Sequence, residues 1–181
     1  MAASIEHQQL PLPRIEGARL LVVVAPYYRS IAEAMVVGAR AVAAEAGASA
    51  DLVEVPGALE VPTAIALAAA RGLYDGYVAI GCVIRGETTH YDTVCNDSSR
   101  GLTLLGLQGH CIGNGILTVE NYEQAAVRAD PEGQNKGGGA AAAALHLIAL
   151  KRRWESRTAG EGAVSSDIIR LAGELDGPRG A

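Results

Sequence analysis

Hydrophobic and polar positions along this chain alternate between two patterns, short continuous apolar runs and longer stretches with helical spacing. Leu20-Leu21-Val22-Val23-Val24-Ala25 is a continuous run, the mark of a strand covered on both faces. Residues Ile31 to Ala46 carry helical spacing and stop at Gly47, a residue suited to a helix C-terminus. Asp51 to Val55 predicts a second strand, closed by Pro56-Gly57. Helix propensity is high from Leu59 to Ala70, with Pro62 tolerable only in the first turn. Gly76 to Ile84 reads as a third strand and Thr89 to Leu107 as the helix after it, although Asn96, Asp97, Ser98, Ser99 and Gly101 weaken its centre. Cys111-Ile112 and Gly115 to Thr118 give a fourth strand in two pieces. A short helix at Tyr122–Arg128 and an Ala-rich one from Lys136 to Glu155 complete the pattern.

Strands that alternate with helices predict an α/β protein with a parallel sheet and right-handed crossovers. Residues 1–17 read as an N-terminal arm, 18–155 as one domain, and 156–181, rich in Gly, Ser and mixed charge, as a C-terminal tail. Composition sharpens this picture. The chain is 49% hydrophobic but only 4% aromatic, so Ala, Val, Leu and Gly must build a closely packed interior. A net charge of −5 argues against a nucleic-acid partner or an anionic membrane surface. Lys151-Arg152-Arg153 reads as cations complementing a helix C-terminus.

Cys82, Cys95 and Cys111 have no CxxC spacing, and two lie in apolar runs, which predicts buried thiols in a reducing, cytoplasmic compartment. His7, His90, His110 and His146 form no HxxxH or HExxH cluster, so a zinc site has little support. With no Walker lysine loop, and no Gly-x-Gly-x-x-Gly after the first strand, nucleotide cofactors are not expected either.

In parallel sheets ligands bind beyond the carboxyl ends of the strands. Polar or aromatic chemistry stands at all four predicted ends: Ala25-Pro26-Tyr27-Tyr28, Pro56 to Glu60, Val83 to Thr88, and Thr118 to Asn121. The third end is the richest. Its glycine turn before a helix exposes backbone N–H groups at a positive helix terminus, a setting for an anion, and His90 stands where an imidazole can exchange protons. Each residue alone has a bland alternative. Tyr27 could be a stacking platform or a strand-end aromatic, and Glu60 a hydrogen-bond acceptor for a polyol or a first-turn carboxylate. Arg128 could clamp a phosphate or merely end a helix, and Gly137-Gly138-Gly139 could mark close backbone approach or a hinge.

Together these segments resemble the 6,7-dimethyl-8-ribityllumazine synthase family. The resemblance rests on five motifs in order: Pro56 to Glu60, Val83 to Asp92, Gly115 to Asn121, Glu123-Gln124-Ala125 with Arg128, and Asn135-Lys136-Gly137. It implies a flavodoxin-like, three-layer α/β/α sandwich on a four-stranded parallel sheet. The implied reaction condenses 5-amino-6-(D-ribitylamino)uracil with 3,4-dihydroxy-2-butanone 4-phosphate, releases phosphate and water, and needs no cofactor. By the same resemblance His90 is the proton shuttle, and Gly86, Glu87 and Thr88 hold phosphate, with Arg128 as counter-charge. Tyr27 stacks on the heterocycle, Ala58, Leu59 and Glu60 line the ribityl end, and Val83 and Ile84 meet the pyrimidine edge. Lys136 is the pocket lysine and Asn114 forms part of a wall.

The family's sites lie between subunits of a pentamer, so the resemblance implies a homo-oligomer, a pentamer or a higher assembly. Three departures stand out: Tyr27 in place of Phe or Trp, Asn114 in place of Phe, and Gly139 where an acid commonly follows the lysine. Tyr27 keeps a flat face for stacking, while Asn114 and Gly139 keep open one alternative, a non-catalytic flavin- or lumazine-binding paralogue. A shell-forming subunit is the other, and the connection from Arg128 to Lys136, unlike that of shell-forming members, favours a pentamer over it.

Overall fold

A computed structural model of the chain describes residues 10–158. The elements are β1 (Arg19–Val24), α1 (Arg29–Glu45), β2 (Ser49–Glu54), α2 (Glu60–Ala69), β3 (Gly76–Ile84), α3 (His90–Leu107), β4 (Cys111–Val119), α4 (Tyr122–Ala129) and α5 (Lys136–Thr158). The four strands pair in parallel in the order β2-β1-β3-β4. Alternate residues of the central strands serve two cores, as the two-residue period of a strand requires. Leu20, Val22, Val24, Val78 and Ile80 pack with Met35, Ala144, Leu145 and Ile148 beneath α1 and α5. Leu21, Val23, Tyr77 and Ala79 pack with Val61, Ile65, Leu102 and Leu105 beneath α2 and α3. Every residue of β1 from Leu20 to Val24 is buried, as its apolar run predicts, whereas β2 is an exposed edge.

The chain leaves β1 toward one edge to make β2, then returns past β1 to make β3 and β4. Right-handed crossovers therefore lay α1 on one face and α2 and α3 on the other, leaving a crevice where the winding reverses.

Local chemistry explains the elements that the sequence pattern left weakest. In the polar centre of α3, Ser98, Ser99 and Thr103 donate hydroxyl hydrogen bonds to carbonyls of the preceding turn (Cys95, Asn96 and Ser99, 2.9–3.3 Å), so the helix absorbs them. A side chain on Gly101 would come within 2.8 Å of Pro62, so the glycine lets α2 and α3 approach. The fourth strand is continuous from Cys111 to Val119 and not split at Gly113-Asn114. Gly113 pairs with Val78 in the ladder, and a Cβ there would overlap the Ala140 carbonyl of α5.

Close packing also accounts for two of the three consecutive glycines. A Cβ on Gly137 would overlap the Met35 carbonyl of α1, and Gly138 lies under the Asn135 side chain, whose Oδ1 accepts from the Gly138 N–H at 2.9 Å. Gly139 faces open space. The basic cluster lies within α5, and Arg152 braces it to Asp75 and to the Glu16 carbonyl. Of the expected arm, residues 10–17 are described, and Ile15 is buried, its N–H donating to the Ala46 carbonyl. Of the expected tail, 156–158 continue α5 and the remainder lies outside the described residues, as do residues 1–9 with His7.

Candidate active site

A cleft of about 490 Å³ opens at the carboxyl ends of β1, β2 and β3, at the reversal of winding. Buried Ala25 and Cys82 form its floor. Tyr27 and Tyr28 line it from β1, Pro56 to Glu60 from β2, and Val83, Ile84, Gly86 and Thr88 from β3, while α3 contributes His90, Tyr91 and Val94. Nine sequence-predicted site residues therefore share one cavity: Tyr27, Ala58, Leu59, Glu60, Val83, Ile84, Gly86, Thr88 and His90.

Geometry gives these side chains distinct capacities. The Tyr27 ring is 77% exposed and meets Tyr28 edge-on, with centroids 5.1 Å apart and planes at 70°, so its free face can receive a flat ligand. Helices α2 and α3 both begin at the cleft, and neither N-cap residue, Leu59 nor Thr89, supplies a side-chain acceptor. The Glu60 and Asp92 N–H groups already donate to the Gly57 and Thr89 carbonyls, and Pro62 has no N–H. These first turns therefore offer an anion or carbonyl oxygen the N–H groups of Val61, His90 and Tyr91 and the positive dipole ends. His90 is exposed at the head of α3, and among the described residues nothing hydrogen-bonds its ring. Burial pushes the Cys82 thiol up to about 11, so it stays protonated at neutral pH and is a lining group, not a nucleophile. Burial also raises the Tyr28 phenol, with the Tyr27 ring adding to the effect.

The remaining predicted residues lie elsewhere. Glu87 is exposed on the turn before α3 and does not line the cleft. Asn114 is exposed near the amino end of edge strand β4, its Oδ1 accepting from the Ile116 N–H at 3.0 Å. It borders a second, more apolar cavity of about 590 Å³ between α3, β4 and α5. Arg128 ends α4 and donates to the Gln124 carbonyl of its own helix at 3.0 Å. Lys136 opens α5, exposed and, among the described residues, without an ion pair. Among the described residues no three His, Cys, Asp or Glu side chains cluster as metal ligands would, and no helix is long and apolar enough to cross a membrane.

Comparison with known proteins decides the family. The model of the 6,7-dimethyl-8-ribityllumazine synthase family matches residues 17–152, from the end of the arm to the last turns of α5. The chain belongs to the 6,7-dimethyl-8-ribityllumazine synthase family. Its relatives include the 6,7-dimethyl-8-ribityllumazine synthase of Jannaschia sp. strain CCS1, 56% identical over 146 residues, or 80% of this chain and 82% of that one. The synthase of Novosphingobium aromaticivorans is 55% identical over 137 residues, covering 76% of this chain and 99% of its own length. That of Zymomonas mobilis is 50% identical over 136 residues, covering 75% and 98%.

Sequence reasoning gave no role to Arg85, Tyr91 or Glu120, which the structure joins beside His90. Arg85 was visible within its motif, but Glu120 lies 35 residues away and only the β3–β4 pairing brings it near.

Proposed function

We propose that this chain makes 6,7-dimethyl-8-ribityllumazine in riboflavin biosynthesis, by condensing 5-amino-6-(D-ribitylamino)uracil with 3,4-dihydroxy-2-butanone 4-phosphate. Family membership supports the activity. The observation that carries the mechanism is the single cleft joining an exposed aromatic face, two helix N-termini without side-chain caps and an imidazole that no described residue hydrogen-bonds. The 5-amino nitrogen attacks the ketone carbon, and the resulting carbinolamine loses water to give an imine. The C–O bond to phosphate then breaks, and the ribitylamino nitrogen closes the ring with loss of a second water.

Each step moves a proton, and His90 is placed to accept and return it. The first turn of α3, with the Gly86 to Thr88 segment before it, receives the phosphate through N–H groups. Glu87 contributes through its backbone, in keeping with its outward side chain. Tyr27 stacks on the pyrimidine ring, Val83 and Ile84 meet its edge, and Ala58, Leu59 and Glu60 receive the ribityl chain. The reading needs neither metal nor cofactor.

The phosphate's counter-charge is missing from the cleft of one chain, because Arg128 and Lys136 stand outside it. We therefore assign Asn114, Arg128 and Lys136 to the cleft of an adjacent copy, in a cyclic homo-oligomer with pentamer as the working stoichiometry. Free, buried thiols at Cys82 and Cys111 favour a cytoplasmic setting.

Mixing the purified chain with both substrates and following lumazine fluorescence, beside a His90→Ala control, tests the reading. Formation well above the uncatalysed rate, falling about a hundredfold in the control, is expected for a lost proton shuttle. Product no faster than background from the folded oligomer would leave the binding paralogue as the better reading.

A further inference from the structure

Among the described residues the turn that carries the anion site and His90 has no internal side-chain lock: a Cβ on Gly86 would meet nothing within 4 Å, and the Thr89 side chain makes no cap bond. A turn so lightly held samples several shapes unless something outside it fixes its ends. One guanidinium meets both ends. The Arg85 N–H, at the end of β3, donates to the Val119 carbonyl of β4 at 2.9 Å. Its Nε lies 3.1 and 2.9 Å from the two Glu120 oxygens just beyond β4. Its planar face covers the Tyr91 ring at 4.0 Å from the centroid, and a terminal nitrogen approaches Asp92 at 3.5 Å. Tyr91 and Asp92 are the second and third residues of α3, directly after His90.

Glu120 is itself fixed. Its N–H donates to Gln124 Oε1 at 3.0 Å, while the Gln124 N–H donates to the α4 cap residue Asn121 at 2.9 Å. Two carboxylates and one guanidinium leave a local charge of about −1, so this arginine offers an incoming phosphate no net attraction. Its planar fork and stacked face suit it instead to hold three segments at fixed angles, which a lysine cannot do.

We propose that Arg85 is the positioning residue of this site, clasping β3, the α3 head and the start of α4 so that the Gly86–Thr89 turn and His90 hold one shape. The role rests on the synthase reading for its catalytic consequence, but its structural consequence is measurable without any substrate.

The test uses the full chain with Arg85→Gln, Arg85→Lys, Glu120→Gln and the double variant Arg85→Gln/Glu120→Gln. Hydrogen exchange of residues 85–92 should quicken about tenfold in Arg85→Gln while exchange elsewhere is unchanged, the signature of local opening. The same variant should lose on the order of tenfold to a hundredfold in kcat, as misplacement of a catalytic group does, with a smaller change in KM for the butanone phosphate. Arg85→Lys should recover only part of that loss. Glu120→Gln should fall in the same direction, and the double variant should be no worse than Arg85→Gln alone, because both lesions break one clasp.

Unchanged exchange at 85–92 would overturn the proposal. So would additive losses in the double variant, or full recovery by lysine. A rise in KM for the phosphate substrate with kcat preserved would make Arg85 a direct anion ligand and also overturn it. A wild-type chain that forms no product, with exchange still quickened in Arg85→Gln, would sink the synthase reading and leave the clasp standing.

Discussion

The cleft at the ends of β1, β2 and β3 and the outer side formed by β4, α4 and α5 divide the predicted chemistry unequally. The cleft gathers an exposed ring, two helix N-termini and an imidazole from segments far apart in the chain. The outer side carries Asn114, Arg128 and Lys136, and these line no part of that cleft. Yet α4 and α5 are built with equal care: Asn121 caps α4 through Gln124, and Asn135, at φ 44°, caps α5 through Gly138. Lys136 stands exposed on a well-fixed helix start and, among the described residues, makes no ion pair. The contrast teaches that one chain's fold can gather a ring, helix ends and an imidazole into one cleft while leaving the predicted cations outside it.

The largest effect expected from this division is on Arg128. Arg128→Ala should reduce kcat/KM by about a hundredfold, as loss of a charge-assisted phosphate contact does, although the residue is outside its own chain's cleft. Tm should move by only a degree or two, because among the described residues the guanidinium's one hydrogen bond goes to its own helix. Steady-state kinetics beside a thermal melt would check both, and wild-type kinetics in the variant would erase the distinction between the two sides.

Next in size is the seam that sets α5 against α1. Gly137→Ala would drive a methyl group into the Met35 carbonyl and should cost about 3 kcal/mol or more, read as a lower urea midpoint. Gly139→Ala, two residues on, meets open space and should be neutral or stabilise by up to about 1 kcal/mol. Equal effects at the two glycines would mean that close approach is not what selects them.

A smaller effect concerns the cleft floor. The Cys82 thiol has an ordinary value of 9.0 and is pushed by burial up to about 11. Between those values the folded chain holds a proton that the unfolded chain has lost, so folding stability is complete below pH 9 and declines toward pH 11. The loss should approach about 2–3 kcal/mol from this one group. Burial raises Cys111 and Cys95 as well, which adds in the same direction. Denaturant melts from pH 8 to 11 should show the decline, and Cys82→Ala should flatten part of it.

The sheet and its helices were legible because their signals are local. The run Leu20 to Ala25 had to be a covered strand, and Gly47 stands at φ 78° just beyond α1, where a left-handed residue closes the helix. The continuity of β4 was not legible, since Gly113 is explained only by the backbone of α5 lying against it. The triple glycine allowed two readings until Met35 was seen beneath it. At the site, the motif from Val83 to His90 announced itself because strand, turn and helix head are consecutive. The Arg85–Glu120 clasp did not, because tertiary pairing alone creates it. Nor could spacing in the sequence reveal that Arg128 and Lys136 would stand apart from the cleft they were expected to serve.

Co-assembly of His90→Ala chains with Arg128→Ala chains in equal amounts tests most directly whether the site is shared between copies. Each parent alone should be nearly inactive. If one copy supplies His90 and its neighbour Arg128, random mixing leaves about one site in four with both groups intact, and the mixture should recover about a quarter of wild-type activity. A mixture no more active than the mean of its parents, in oligomers shown to contain both chains, would place both residues in the site of a single chain and contradict the shared cleft.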